Sequence, residues 1–194
     1  MDYRSRILIV DDDISMLEQL EQVLGREYIV SLAASGSQAL NYLNTGNWVD
    51  LILLDILMPE ANGYEVITEI RKNPRYEKTP VIFLTSLNDA ESEVKGLLQG
   101  ADYITKPCIP AVLRGRIERL LRLVGCLDRE KLEQLPQSLS ETEYFAAVLL
   151  AQGYSNEEIA QNLNYALGSV KNILVRVMNK LSIKNRKEIE QYMK

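Results

Sequence analysis

Acidic side chains directly follow two apolar segments in the first half of the chain. Asp11 and Asp12 come after residues 7–10, and Asp55 comes after residues 51–54. Two carboxylates held about 4 Å apart repel each other by roughly 4 kcal/mol at an effective dielectric constant near 20. A cluster of such groups needs a counter-charge, and hard oxygen ligands with open coordination positions favour Mg²⁺, which readily takes a phosphate oxygen.

Two further polar groups follow apolar segments in the same way. Thr85 comes after residues 81–84, and Lys106 comes shortly after residues 103–104. An aspartate at the end of a strand is also ordinary turn chemistry, so no single residue identifies a site. Four strand ends that each deliver a matching group favour one shared site, because ligands of an open parallel sheet bind beyond the carboxyl ends of its strands.

The apolar segments have the composition of strands that are covered on both faces, as in a parallel sheet. Amphipathic helical patterns lie between them, and Gly25 and Gly100 stand where a helix end needs a residue that tolerates the left-handed conformation. This order predicts a doubly wound α/β fold with a five-stranded parallel sheet. The predicted strands are residues 7–10, 29–32, 51–54, 81–84 and 103–104, and the predicted helices are residues 14–24, 36–43, 63–71 and 90–99.

The composition excludes several classes of chemistry. The 194 residues are 46% hydrophobic and 25% charged, carry a net charge of −5 and include no histidine. Histidine-dependent catalytic triads and zinc sites are therefore impossible within this chain. No apolar run approaches the roughly 20 residues that span a bilayer, no secretory signal is recognised, and two cysteines 18 residues apart suit a reducing cytoplasm. We expect a cytoplasmic protein without a membrane segment.

Four strings in the first half occur in the order and at the spacing of a known family. They are ILIVDDD (7–13), LILLDILMPEANGYEVI (51–67), VIFLTS (81–86) and GADYITKP (100–107). Residues 1–122 therefore resemble the CheY-like receiver domain of bacterial two-component response regulators. The resemblance implies that Asp55 is phosphorylated by a partner sensor histidine kinase, which supplies the histidine that this chain lacks.

The resemblance also implies a role for each matching residue. The groups that would hold Mg²⁺ are Asp11, Asp12, Asp55 and the backbone carbonyl of Leu57. The groups that would act on the phosphoryl group or respond to it are Thr85 as a hydrogen-bond donor, Lys106 as the neutralising charge and Tyr103 as the aromatic switch residue. The Lys106-Pro107 peptide bond is expected to be cis, and the chain is expected to assist its own phosphorylation and dephosphorylation without being an enzyme on other substrates.

A further helix is predicted from Pro110 through Arg122 or beyond, since proline suits the first helical position. Its apolar residues are spaced alternately four and three positions apart. This spacing suits a helix that packs on the sheet. Past Val124, it also suits a helix that pairs with a second copy of the chain. These residues are Leu113, Ile117, Leu120, Val124 and Leu127. The polar segment 128–137 is interpreted as a linker, so residues 123–137 are predicted to form a helical extension and linker.

The pattern from residue 138 onward is helical only. The strings SETE (140–143) and SNEE (155–158) fit the capping box, in which a serine and a glutamate satisfy the free N–H groups of a first helical turn. Gly153 between them is expected to stop the first of these helices. Charge is uneven here, because residues 138–163 include four acidic and no basic residues, whereas residues 164–187 include six basic and no acidic residues.

The basic stretch combines an apolar helical face with a polar, basic face. Such a helix suits the major groove of DNA, although a solvated basic face explains the charge equally well. The strings LSETEYFAAVLLAQGYSNEEIAQNL (139–163), SVKNILVRVMNKL (169–181) and SIKNRKEI (182–189) resemble the LuxR-type helix-turn-helix. The resemblance implies a four-helix module over residues 138–194, with a supporting helix at 157–163 and dimer contacts from a last helix at about 185–193. The predicted DNA contacts are Ser169, Lys171, Asn172, Arg176 and Lys180.

Three residues depart from the family pattern. Ala166 stands where a capping Ser or Thr is usual, so the recognition helix is expected to start later, with Ser169 as its cap. Tyr165 replaces a smaller aliphatic residue in the turn, and Ile173 stands where a histidine is frequent. These changes bear on DNA affinity and site preference more than on the fold.

Together the patterns predict a phosphorylation-controlled, DNA-binding transcriptional regulator. It is expected to bind duplex DNA and to form a homodimer at least when phosphorylated, because paired half-sites are the usual demand of such modules. Two other classes stay open at this point. One is a response regulator whose helical module binds a protein partner, and the other is a phosphatase-like, Mg²⁺-dependent enzyme.

Overall fold

The computed structural model describes residues 2–86, 102–124 and 127–193 of the chain. These residues form two compact units. The first is Arg4–Leu121, and the second runs from Arg122 onward and also includes the N-terminal residues up to Tyr3. Within the described ranges, no helix is long and apolar enough to cross a membrane.

The first unit is built on a parallel sheet of five strands, as the sequence predicts. The strands are β1 (Arg6–Val10), β2 (Ile29–Ala33), β3 (Leu51–Asp55), β4 (Val81–Thr85) and β5 (Asp102–Thr105). Their spatial order is β2-β1-β3-β4-β5. After β1 the chain adds β2 on one side of that strand, and it then crosses to add β3, β4 and β5 on the other side. Strands β1 and β3 are therefore neighbours, with Val10 opposite Leu54. Their carboxyl ends form the crevice where ligands of such sheets bind.

The sheet is buried on both faces because its strands are almost wholly apolar. Every residue of β3 and β4 is buried. Among the described residues, four helices accompany the sheet: α1 (Ile14–Leu24), α2 (Gly36–Asn44), α3 (Gly63–Arg71) and α4 (Pro110–Leu123). The helix predicted over residues 90–99, and its expected end at Gly100, lie outside the described residues.

Local signals fix where the helices begin. The Asp13 carboxylate accepts hydrogen bonds from the Ser15 and Met16 N–H groups at the start of α1. Asn62 forms a capping box with Glu65 at the start of α3. The left-handed conformation predicted for Gly25 is wrong, because this residue has φ −63° and its N–H closes the helix on the Glu21 carbonyl. The last turn of α1 therefore ends in right-handed geometry.

The heptad-like seam predicted along α4 is only partly correct. The buried residues are Leu113, Ile117 and Leu121, at steps of four, whereas Leu120 is half-buried. The helix ends at Leu123. A straight helix of 3.6 residues per turn buries an i, i+4 row over two turns, so packing within a domain requires no coiled-coil seam.

The second unit is helical. Its elements are α5 (Arg129–Glu133), α6 (Glu141–Ala151), α7 (Asn156–Leu163), α8 (Leu167–Lys180) and a 3₁₀ helix (Arg186–Tyr192). The segment 128–137, interpreted from its polarity as a linker, contains the short helix α5. Asp128 caps this helix, and Leu132 is buried, with 1% of its surface exposed.

Tyr3 is an unforeseen part of the second unit. The Leu139 N–H donates a buried hydrogen bond of 2.7 Å to the Tyr3 hydroxyl, and the Tyr3 ring lies 5.5 Å from that of Tyr144. A residue near the N-terminus thus packs within the core of the second unit.

Candidate functional site

Three carboxylates meet at the carboxyl ends of β1 and β3. Asp11, Asp12 and Asp55 each offer an oxygen, and these oxygens all lie within 4.8 Å of one another. Asp11 is fully buried and Asp55 is 6% exposed, whereas Asp12 is open to solvent. The structure therefore brings together the acidic residues that the sequence singles out, and it leaves one side of the cluster accessible.

Lys106 supplies the counter-charge. Its ammonium donates to Asp11 Oδ2 at 2.6 Å and to Asp55 Oδ2 at 2.9 Å. The Lys106 N–H donates to the Thr85 carbonyl at 2.7 Å, which continues the pairing of β4 with β5. The Lys106-Pro107 peptide bond is cis, as the sequence resemblance implies.

Burial and ion pairing oppose each other in this cluster. Burial raises the pKa of Asp11 above its ordinary value, and the hydrogen bonds from Lys106 and from the Asp13 N–H only partly offset that rise. Burial by itself lowers the pKa of Lys106, but its bonds to Asp11 and Asp55 outweigh burial and leave the pKa raised. The cluster is thus held together by a fully charged lysine between two carboxylates.

The loop after β3 approaches the site through its backbone. The Leu57 N–H donates to Asp55 Oδ1 at 3.3 Å, and the Gly63 N–H donates to the Ile56 carbonyl at 3.0 Å. A Cβ atom on Gly63 would lie 2.4 Å from the Asp55 carbonyl oxygen. Glycine is therefore required here for the close approach of α3 to the end of β3.

Thr85 and Tyr103 lie on the neighbouring strands β4 and β5. Thr85 is fully buried and Tyr103 is half-buried. The Tyr103 ring lies 5.5 Å from the ring of Phe83, which in turn lies 5.0 Å from that of Tyr64. The hydroxyls of Tyr64 and Tyr103 are hydrogen-bonded to each other. Tyr64 is a residue that sequence patterns do not single out, because no local spacing links it to a position 39 residues away.

A second candidate site is the helix-turn-helix formed by α7 and α8. Both predicted capping boxes are confirmed, at Ser140 with Glu143 and at Ser155 with Glu158. Gly153 has φ +83° and ends the helix before the second box, as predicted. The turn between α7 and α8 starts at Asn164 in the left-handed conformation.

The expected late start of the recognition helix, with Ser169 as its cap, is wrong. Helix α8 begins at Leu167 with Ala166 at the N-cap position, where no side chain makes a capping bond. The Val170 N–H bonds the Ala166 carbonyl at 3.1 Å, so the backbone closes the first turn without a polar cap. Ser169 lies exposed within that first turn.

The two faces of α8 divide as the sequence predicts. Val170, Ile173, Leu174 and Val177 are buried. Ile173, at the position where a histidine is frequent in the family, simply extends this apolar face. The predicted DNA contacts Ser169, Lys171, Asn172 and Arg176 are exposed, whereas Lys180 is half-buried.

Glu143 holds two of the basic residues that were predicted to contact DNA. Its carboxylate accepts from Arg176 Nε at 3.1 Å and from Lys180 Nζ at 2.7 Å, and Lys180 also donates to the Ser138 carbonyl at 3.0 Å. Burial acts to raise the pKa of Glu143, but bonds from Lys180, the Ser140 N–H and Arg176 lower it to about 2. The sequence identifies Glu143 only as a capping residue, because its ion pairs span more than 30 residues.

The doubly wound sheet carries a lysine between carboxylates at the point where its strand order reverses, and a helix-turn-helix follows in the same chain. These two features define the class of receiver proteins with a DNA-binding output module. The chain belongs to the response regulators. Residues 7–118 match the family described as response regulator receiver domain, and residues 137–193 match bacterial regulatory proteins of the luxR family.

Curated relatives and solved structures agree with this membership. A probable transcriptional regulator, ycf29 of Pyropia yezoensis, is 30% identical over 198 residues, which cover 96% of this chain and 88% of the relative. The probable transcriptional regulator ycf27 of Guillardia theta is 40% identical over 124 residues, and the match spans about half (47%) of that protein. The chemotaxis protein CheY4 of Vibrio cholerae has a TM-score of 0.57 at 30% identity, covering 60% of this chain and 98% of CheY4.

Proposed function

We propose that this chain is a transcriptional regulator whose DNA binding is controlled by phosphorylation of Asp55. The observation that carries the proposal is the position of Lys106 Nζ, within 2.9 Å of both Asp11 and Asp55, in a carboxylate cluster that is open on one side. A partly buried lysine that bridges two carboxylates can redistribute its bonds when one carboxylate gains a phosphoryl group. The family matches to a receiver and to a luxR-type module support both parts of the proposal.

The residues present fit a divalent metal ion. Three carboxylates with oxygens within 4.8 Å are hard ligands, and the exposed Asp12 leaves room for water and for a phosphate oxygen. We propose that Asp11, Asp12, Asp55 and the carbonyl of Leu57 would hold Mg²⁺. When bound, the ion would offset negative charge on a transferring phosphoryl group.

The chain's own groups would then carry out the transfer. An Asp55 carboxylate oxygen forms a bond to phosphorus while the bond from phosphorus to the donor breaks, and the leaving group keeps that electron pair. Lys106 offsets the charge of the resulting acyl phosphate, and Thr85 hydrogen-bonds one of its oxygens. The chain would thus assist its own phosphorylation, by a partner histidine kinase or a small donor, and its own dephosphorylation.

The signal would pass through Tyr103. Movement of Thr85 toward a phosphoryl oxygen would vacate space that the Tyr103 ring can fill, so a local charge change would bias a two-state element. We place the receiver at residues 1–122, the extension at 123–137 and the DNA-binding module at 138–194. We further propose a cytoplasmic location and a homodimer in the phosphorylated state, as paired half-sites require.

Labelling by a small phosphodonor tests the phosphoacceptor. The wild-type chain with acetyl phosphate and Mg²⁺ is expected to gain one phosphoryl group by intact mass, and Asp55→Asn is expected to gain none. Asp13→Asn is the matched control, because it removes an exposed acid from the same edge of the sheet while asparagine still caps α1. Labelling of Asp55→Asn at the wild-type level would sink the assignment.

Salt-dependent binding tests the output module. Phosphorylated protein is expected to bind duplex DNA with an affinity that falls steeply as salt rises, and Lys171→Ala/Arg176→Ala is expected to weaken this binding. Lys184→Ala/Lys187→Ala removes the same charge from exposed positions outside α8 and serves as the control.

Light scattering with and without phosphodonor tests the dimer. Equal mass and equal DNA affinity in the two states would contradict phosphorylation control.

A further inference from the structure

The exposed front of α8 includes one apolar side chain. Val175 is 51% exposed, whereas the buried aliphatic residues of the same helix are at most 6% exposed. Its exposed neighbours on that front are polar or basic: Ser169, Lys171, Asn172, Arg176 and Asn179. A β-branched apolar residue in the middle of such a surface gains free energy only when another molecule covers it.

The charged groups nearest the carboxyl end of α8 are restrained. Arg176 and Lys180 both bind Glu143, and the Lys180 side chain is only 23% exposed. Within the part of the chain that the structure describes, no hydrogen bond or ion pair engages the side chain of Lys171 or Asn172. The stretch from Lys171 to Val175 is thus the part of the front whose side chains can rearrange on a ligand.

The spacing of Asn172 and Val175 suits two neighbouring base pairs. Residues three apart lie on the same side of a helix and differ by about 4.5 Å along its axis, close to the roughly 3.4 Å rise between base pairs. In the major groove the one apolar group on a base edge is the 5-methyl group of thymine. The same groove offers adenine N6 and N7, which an asparagine amide can bond in a bidentate way.

We propose that Asn172 and Val175 make α8 a reader of A·T base pairs, with Val175 packed on a thymine methyl group and Asn172 hydrogen-bonded to an adenine. The inference rests on the proposed function, since it needs α8 to enter the major groove. The inference specifies which base pairs α8 would read, and it assigns different roles to different residues of this helix. Asn172 and Val175 select the sequence, whereas Lys171 contributes charge that is independent of sequence.

Atomic substitution in the DNA tests this proposal. Duplexes are first recovered from a random-sequence library with full-length protein, acetyl phosphate and Mg²⁺, and each thymine of the recovered site is then replaced by deoxyuridine. At one thymine per half-site, loss of the methyl group is expected to weaken wild-type binding roughly three- to fivefold. Val175→Ala is expected to bind the thymine and deoxyuridine duplexes equally at that position, and Asn179→Ala is expected to keep the wild-type difference.

The adenine contact has a parallel test. Replacing one adenine by 7-deazaadenine is expected to weaken wild-type binding and to leave the binding of Asn172→Ala unchanged. The proposal is overturned if wild-type affinity ignores every thymine replacement, or if Val175→Ala keeps the full penalty. A wild-type protein that binds no duplex at all would instead reject the proposed function, and the inference with it.

Discussion

The carboxylate of Glu143, near the start of α6, lies 2.7 Å from the ammonium of Lys180, at the end of α8. The pair joins residues that are 37 positions apart in the chain, and Arg176 adds a second bond to the same carboxylate. The Glu143 side chain is 5% exposed. Lys180 therefore acts mainly within the helical unit, and its predicted role as a DNA contact is the weakest of the five.

Glu143→Gln is expected to destabilise the helical unit by roughly 2–3 kcal/mol. Glutamine keeps the shape and can still bond the Ser140 N–H, but it leaves a partly buried lysine without its counter-charge. Urea unfolding of the full chain, followed by circular dichroism, measures the loss. Glu141→Gln, at an exposed acid two residues earlier on the same helix, is expected to change stability by less than about 0.5 kcal/mol. Equal effects of the two variants would show that the ion pair is not stabilising.

The same carboxylate predicts a pH dependence. The pKa of Glu143 is lowered from an ordinary 4.5 to about 2, so the folded state binds its proton less readily than the unfolded chain. The contribution of Glu143 is complete above pH 4.5 and is lost as the pH falls toward 2. The difference in unfolding free energy between wild type and Glu143→Gln should therefore shrink across this range. A difference that stays constant from pH 5 to pH 2.5 would contradict the lowered pKa.

Gly63→Ala is expected to disturb the phosphoacceptor site. The new methyl group would lie 2.4 Å from the Asp55 carbonyl oxygen and 3.0 Å from Ile56 Cα, so the backbone around the acceptor must shift. We expect a loss of roughly 1–3 kcal/mol and slower labelling by acetyl phosphate. Gly115→Ala is the matched control, because a Cβ at this position of α4 meets nothing within 4 Å and alanine favours helix by roughly 0.5–1 kcal/mol. Unimpaired labelling and stability of Gly63→Ala would mean that the close approach is not needed.

Tyr3→Phe is expected to weaken the helical unit by about 1–2 kcal/mol. The substitution keeps the ring against Tyr144 but leaves the buried Leu139 N–H without its acceptor. Faster hydrogen exchange at the Leu139 amide and a lower urea midpoint would report the loss. Tyr165→Phe, at a tyrosine that is 47% exposed, controls for removal of a hydroxyl. Unchanged exchange at Leu139 would show that water replaces the bond at no cost.

Features that depend on neighbouring residues could be predicted from the sequence. The strands follow from runs such as residues 51–54, and the two capping boxes of the helical unit follow from a serine and a glutamate three residues apart. Predictions failed where local rules allow more than one outcome. Gly25 ends α1 in right-handed geometry, and Ala166 starts α8 without a side-chain cap.

The sequence by itself determined the doubly wound sheet and the convergence of Asp11, Asp55 and Lys106, because parallel strands carry their carboxyl ends to one edge. Only the tertiary structure decided several other contacts between distant residues. The pairs Glu143 with Lys180, Tyr64 with Tyr103 and Tyr3 with Leu139 are separated by 37, 39 and 136 residues. Such contacts depend on how whole elements pack, and packing is set by the summed burial of many side chains and not by the spacing of any two.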